Sequence, residues 1–174
     1  MHNPRINEIQ RVFTSRLDAL EHIVGIGERH FPDAGAFLDQ RLAPDMLPFT
    51  AQIVFACNQP RGFSQWCAGQ PIDNLALESV GSIADVHSTL AATRGLVAGI
   101  VADDARLEET KRVGLGPGRY CELPGHRYVA DYLLPNLYFH VTTAYAILRH
   151  LGAPVGKSDY MSFLAPLVRE EPAA

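Results

Sequence analysis

No stretch of this chain offers about 18 uninterrupted apolar residues, the minimum for a helix that crosses a bilayer, so membrane insertion is excluded by pattern. Nor is there a run of lysine or arginine. A formal net charge of −4 and a pI near 5.9 leave no basic footprint for nucleic acid or for an anionic membrane surface. Cysteine is scarce: Cys57, Cys67 and Cys121 are an odd set without CxxC spacing, which excludes a disulfide framework and a zinc knuckle and reads as reduced thiols, small buried hydrophobes. The opening residues, MHNPRINEIQRVFTSRL, scatter charges through what would have to be an apolar core, so they read as neither signal peptide nor anchor, and the expected location is the cytoplasm. What is present is ordinary globular composition. With 174 residues, 47% hydrophobic and 20% charged, the chain is expected to form a single domain over 1–174 with a sizeable core.

Hydrophobic spacing then sets out the elements. Ile6, Ile9, Phe13, Leu17, Leu20 and Val24 recur at three and four residues, predicting an amphipathic helix over about 6–29. The following FPDAGAFLDQRLAPDM mixes turn residues with a short apolar patch and reads as a connection with room for one helical turn. A second helix is expected from Asp45, as N-cap, to about Trp66, with Pro48 in the first turn and a kink or break at Pro60. Ser82, with Asp85 three residues on, should cap a third helix through an acidic variant of the capping box, and Ile83, Val86, Leu90, Thr93 and Val97 form its inner stripe.

Beyond Asp104 the pattern changes to short β-prone pieces around GPG and LPG, where Gly114, Gly116 and Gly118 permit tight turns, so a small hairpin is expected. These glycines form no phosphate loop, because no Lys-Ser/Thr pair closes the motif; Gly156-Lys157-Ser158 lacks the earlier glycine. The last helix, LPNLYFHVTTAYAILRHLG, carries an apolar line of Leu134, Leu137, Val141, Ala144 and Leu148 beside a polar one of Asn136, His140 and Thr143. Either it begins near Ala130 or Asp131, and Pro135 bends it beside Asn136, or it begins at Pro135.

The segments RLAPDMLPFTAQIVFACNQ and LPNLYFHVTTAYAILRHLGAPVGKSDYM, in this order of elements, resemble a domain-of-unknown-function family of the DinB/YfiT-like four-helix-bundle superfamily, over about 6–161. The resemblance implies an all-α fold: an up-down-down-up four-helix bundle with a short β-hairpin before the last long helix, and a homodimer as partner state. It also implies, for many members, a divalent metal held by one histidine of the second helix and a pair four residues apart on the fourth, and thiol-dependent transferases and isomerases among the enzymes. Here no histidine lies between Asp45 and Trp66, and Ala144 stands four residues after His140. None of the usual triad is encoded, His140 is the only metal-ligand candidate of that set, and no cofactor is expected; a substitute zinc or nickel site would draw on Asp45 or Cys57.

The candidate site is therefore a polar pocket between the second and fourth helices. His140 is the general base or metal ligand and Asp45 its acidic partner, with Gln52, Asn136, Tyr138 and Cys57 as binding residues. The competing reading is a buried network in which the imidazole and the amides satisfy one another and the carbonyl that Pro135 frees, with Asp45 a helix cap and Cys57 inert. Tyr132 would line a pocket or a dimer face, Tyr145 would be core, and His22, His30, His87, His126 and His150 would be surface or cap residues. Three functions follow: binding of a small molecule in this cleft, a metal- or thiol-dependent hydrolase or transferase using His140, or a structural, partner-binding dimer.

Overall fold

The computed structural model describes residues 3–33 and 35–170, and these are mostly helical with one small antiparallel hairpin. Four long helices carry the mass: α1 (Pro4–His30), α2 (Phe49–Cys67), α3 (Ile83–Ala98) and α4 (Leu134–His150), with β1 (Thr110–Gly114) and β2 (Tyr120–Pro124) between α3 and α4. A short α5 (Lys157–Tyr160) follows. No helix of the described residues is long and apolar enough to cross a membrane.

In α1 the predicted stripe is the buried one, with Ile6, Phe13, Leu17, Leu20 and Val24 in the core. Its first free N–H groups are satisfied from across the fold: Arg5 and Ile6 donate to the Asp104 carboxylate at 3.1 and 2.9 Å, a negative charge at the positive end of the helix dipole. The capping box of α3 is present as expected, Asp85 N–H donating to Ser82 Oγ and Ser82 N–H to Asp85 Oδ2.

The start of α2 differs from the expectation. It begins at Phe49, and Asp45 lies exposed in the preceding turn and caps nothing. The connection itself supplies the acceptors: Phe49 N–H donates to the Gln40 carbonyl at 2.9 Å and Thr50 N–H to that of Leu38 at 3.1 Å. Main-chain oxygens make a side-chain cap unnecessary. Phe37, from the apolar patch of that connection, is fully buried edge-on to Phe49 at 4.9 Å between ring centroids. Pro60 does not break α2, which runs on to Cys67; beside the proline, Ser64 Oγ donates to the Pro60 carbonyl and Gln59 Nε2 to that of Phe55. Nearly every face of α2 is covered, chiefly by α4 and α3, so tertiary packing holds the helix through the missing bond.

The hairpin pairs Thr110 with Pro124 through Gly114 with Tyr120, and Gly116 and Gly118 take φ of 101° and 70° in its turn. The chain is already helical from Gly125, so Pro135 has helix on both sides, and the six residues before α4, Tyr128–Leu133, wind as a π-helix. The wider register there admits a proline whose missing N–H would otherwise leave an α-helical bond unmade.

Candidate functional site

Of the polar line on α4, only His140 reaches another helix. Its Nδ1 lies 2.9 Å from Gln52 Oε1. Gln52 Nε2 donates to the Leu47 carbonyl at 3.0 Å, so Oε1 is the accepting end and His140 Nδ1 carries the proton. One chain of bonds thus links α4, α2 and the connection ahead of α2. The imidazole is stacked on Phe55, 5.0 Å between centroids and 20° between planes, and meets Phe139 edge-on. Burial against these rings holds its pKa down, to about 4, so the ring is neutral at physiological pH and its remaining nitrogen, Nε2, is a weak base.

The other expected members of the site are elsewhere. Asn136 Nδ2 donates to the Tyr132 carbonyl one turn back at 2.6 Å, and Thr143 Oγ1 to that of Phe139, so both serve their own helix. Tyr138 faces the outer side of α4, in a shallow apolar groove with Leu42, Met46, Pro135, Phe139 and Thr142, and Arg16 lies over its ring at 5.7 Å. Cys57 is fully buried in the core, and burial pushes its thiol up to about 11. A nucleophilic thiolate needs the opposite shift. Asp45 stays in its exposed turn.

A divalent metal does not fit these residues. The donor set around His140 is one imidazole whose neighbours are an amide and two phenyl rings, and among the described residues no three His, Cys, Asp or Glu side chains come together as ligands. Two of the other histidines bridge elements: His87 of α3 contacts Glu28 at 3.0 Å and Glu21 at 3.3 Å on α1, and His22 contacts Asp159 at 3.0 Å.

The cleft that sequence reasoning missed has Phe55 in its lining but not His140. Phe55, Asn58, Gln59 and Gly62 project from one face of α2 at i, i+3, i+4 and i+7, Tyr128 and Tyr132 project from the π-helical segment, and Lys111, Arg112 and Val113 come from β1; with the 72–77 connection they bound about 430 Å³. The space suits a small ligand, whose pockets run to roughly 300–1,000 Å³. Gly62 keeps it open, since a methyl group there would sit 3.5 Å from Ile72 Cδ1 and 3.6 Å from the Tyr128 hydroxyl, and anything longer would enter the cleft. Asn58 is taken up by the Leu75 backbone, accepting its N–H at 2.9 Å and facing its carbonyl at 3.4 Å, which pins the 68–76 connection as a wall. The signal in the sequence was the Asn58-Gln59 pair inside an apolar helix, four residues from Gly62.

A helical protein with an inserted hairpin and a cleft between helix and hairpin is the class that these features define. Residues 8–161 match the family described as Domain of unknown function (DUF1993), and the chain belongs to that family. It is similar to a crystal structure of a DinB family member protein from Shewanella denitrificans, at 30% identity and a TM-score of 0.74, over 87% of this chain and 88% of that one. Comparison with curated proteins finds no match.

Proposed function

We propose that this DinB-like protein is a cytoplasmic small-molecule binder, an up-down-down-up bundle of α1 to α4 that holds its ligand in the cleft between α2, the hairpin and the segment leading into α4. The observation that carries this reading is the cleft itself, of ligand size and lined by a mixture of apolar side chains such as Phe55, Ile72 and Val113 and polar ones such as Gln59, Asn74 and Lys111. A hydrolase or transferase built on His140 has less support, because a pKa near 4 makes a poor general base at neutral pH and Asp45 is not its hydrogen-bond partner. The three free cysteines accord with a reducing compartment.

The test is a fragment screen by thermal shift on wild type, Gly62→Ala and Gly62→Leu. A methyl group fits, so Gly62→Ala should keep the hits; leucine fills the cleft, so Gly62→Leu should lose them while still folding. A ligand that binds only the native state at one hundred times its Kd raises stability by about 2.7 kcal/mol, enough to read. Hits that stabilise Gly62→Leu as well as wild type sink the reading.

A second observation favours a homodimer. Phe139 is 58% exposed on the outer face of α4, beside Pro135, Tyr138 and Thr142, and Leu42 and Leu47 extend the apolar surface. Asp131, exposed in the π-helical turn and paired in its own chain with Arg127 at 2.7 Å, precedes the patch, and the exposed Arg149 follows it near the end of α4. An antiparallel contact between two copies of α4, about a two-fold axis near Phe139, sets carboxylate opposite guanidinium twice.

A further inference from the structure

Resting on the reading of the cleft as a ligand site, we infer that its ligand is a small amphipathic monoanion, a monocarboxylate with an apolar body, whose charged end meets Lys111. The pleat of β1 sets the direction of that side chain: Lys111 is half-buried and Val113 buried on the side toward the cleft, while Thr110 and Arg112 are exposed, although Arg112 also borders the cleft. Lys111 is thus a cation placed on the inner, apolar side of the hairpin, opposite Leu123. No Asp or Glu lines the cleft, and among the described residues Lys111 makes no ion pair.

Its surroundings work against its charge. Burial, and then the like charge of Arg106, lower the Lys111 pKa. A bound carboxylate would supply the missing counter-charge where water is partly excluded. The neighbouring polar groups suit an anion too. The hydroxyls of Tyr128 and Tyr132, whose rings stack at 5.9 Å, have no hydrogen-bond partner among the described residues, and burial pushes the Tyr128 phenol up and keeps it a proton donor. Gln59 Nε2 is already committed to the Phe55 carbonyl, which leaves its Oε1 to accept from a ligand hydroxyl or amide. Ile72, Leu75, Val113 and Phe55 offer the apolar wall for the rest of the ligand.

A single inward ammonium also sets the charge number. Arg112 also lines the cleft, but its guanidinium is stacked over the Tyr120 ring at 3.7 Å, which leaves Lys111 as the cation there without a partner. With that planar fork engaged by Tyr120, the free charge at the cleft is one ammonium, and one negative charge matches it.

Calorimetric titration with hexanoate, octanoate and 3-phenylpropionate, against the matched primary amides and inorganic phosphate, tests this in wild type, Lys111→Met, Lys111→Gln and Gly62→Leu. We expect at least one acid to bind about tenfold or more tighter than its amide, since a charge-assisted bond is lost with the charge. Both Lys111 variants should bring the acid down to the affinity of the amide and leave the amide unchanged; Gly62→Leu should abolish both. Unliganded Lys111→Met should melt at or above wild type, because it removes an uncompensated charge. Amides that bind as tightly as acids, a preference that survives loss of Lys111, or phosphate bound more tightly than any acid overturns the anion inference. If neither series binds while the fragment screen gives hits that Gly62→Leu blocks, the anion inference falls alone; if that screen also gives none, the ligand reading falls with it.

Discussion

His140 sits at a junction where a neutral imidazole is worth more than a charged one. Among the described residues its Nδ1–H is the only donor that Gln52 Oε1 is given, and Gln52 in turn holds the Leu47 carbonyl. Replacing it with phenylalanine keeps the stack on Phe55 but leaves a buried amide oxygen without a donor, a loss of about 1–3 kcal/mol. The pH dependence has a definite sign. The folded-state pKa, about 4, lies below the ordinary value of 6.5, so between these values the unfolded chain holds the proton and the native one does not. Stability from this group is therefore complete above pH 6.5 and declines as pH falls toward 4. His87 acts in the other direction: burial lowers its pKa, but Glu28 and Glu21 outweigh that and raise it, so its contribution is present below pH 6.5 and declines as pH rises through the raised value. Denaturant unfolding of wild type and His140→Phe from pH 4 to 7 should show the variant less stable at neutral pH and the gap closing toward pH 4. A constant gap would mean that the proton of His140 plays no part. Zinc or nickel should leave the wild-type midpoint where it is, because one imidazole between phenyl rings is not a metal site.

At the scale of elements, the join between hairpin and last helix depends on an absence of side chain. A Cβ on Gly125 would lie 2.4 Å from the Trp66 ring, 2.9 Å from Leu107 Cα and 3.0 Å from the Arg106 carbonyl. Two of those three atoms are backbone and the ring is wedged between Phe63 and Tyr128, so little can move. Gly125→Ala is expected to destabilise by about 1–3 kcal/mol, as other overpacked sites do. Thermal melts decide it; an unchanged midpoint would show that the Trp66 corner yields. The same corner explains what could be read from the chain. The stripes of α1 and α3, the Ser82 cap and the hairpin turn were legible because each depends on residues within a few positions of one another. The start of α2 was not, since its acceptors are the carbonyls of Leu38 and Gln40, which any residue type would provide. The polar line of α4 was visible as a line, yet spacing could not say that Asn136 and Thr143 bond backward along their own helix while His140 alone crosses to α2. The cleft was hidden because it needs α2, β1 and the π-helical turn together, and no one of them signals it.

For the whole molecule, the proposed ligand cleft and the proposed dimer face lie on different elements: the cleft draws on α2, the hairpin and the segment before α4, and the apolar patch around Phe139 lies on α4 itself. That face is compatible with self-association in only one orientation. With the helices parallel, Asp131 would meet Asp131 and Arg149 would meet Arg149; antiparallel, each meets its opposite. Helix against helix alone is a narrow contact, and a stable dimer hides about 1,200 Å² or more in total, so Leu42 and Leu47 of the connection before α2 must take part. Sedimentation of wild type over a wide concentration range should therefore show a reversible dimer. Phe139→Glu should give monomer with an unchanged melt, because this ring is exposed in the single chain and carries little of its core. Asp131→Arg should weaken association, and the double exchange Asp131→Arg with Arg149→Asp should restore it, which a general loss of folding would not do. A wild type that stays monomeric throughout, or a Phe139→Glu variant that still pairs, would remove this face as the interface and leave the outer groove as surface.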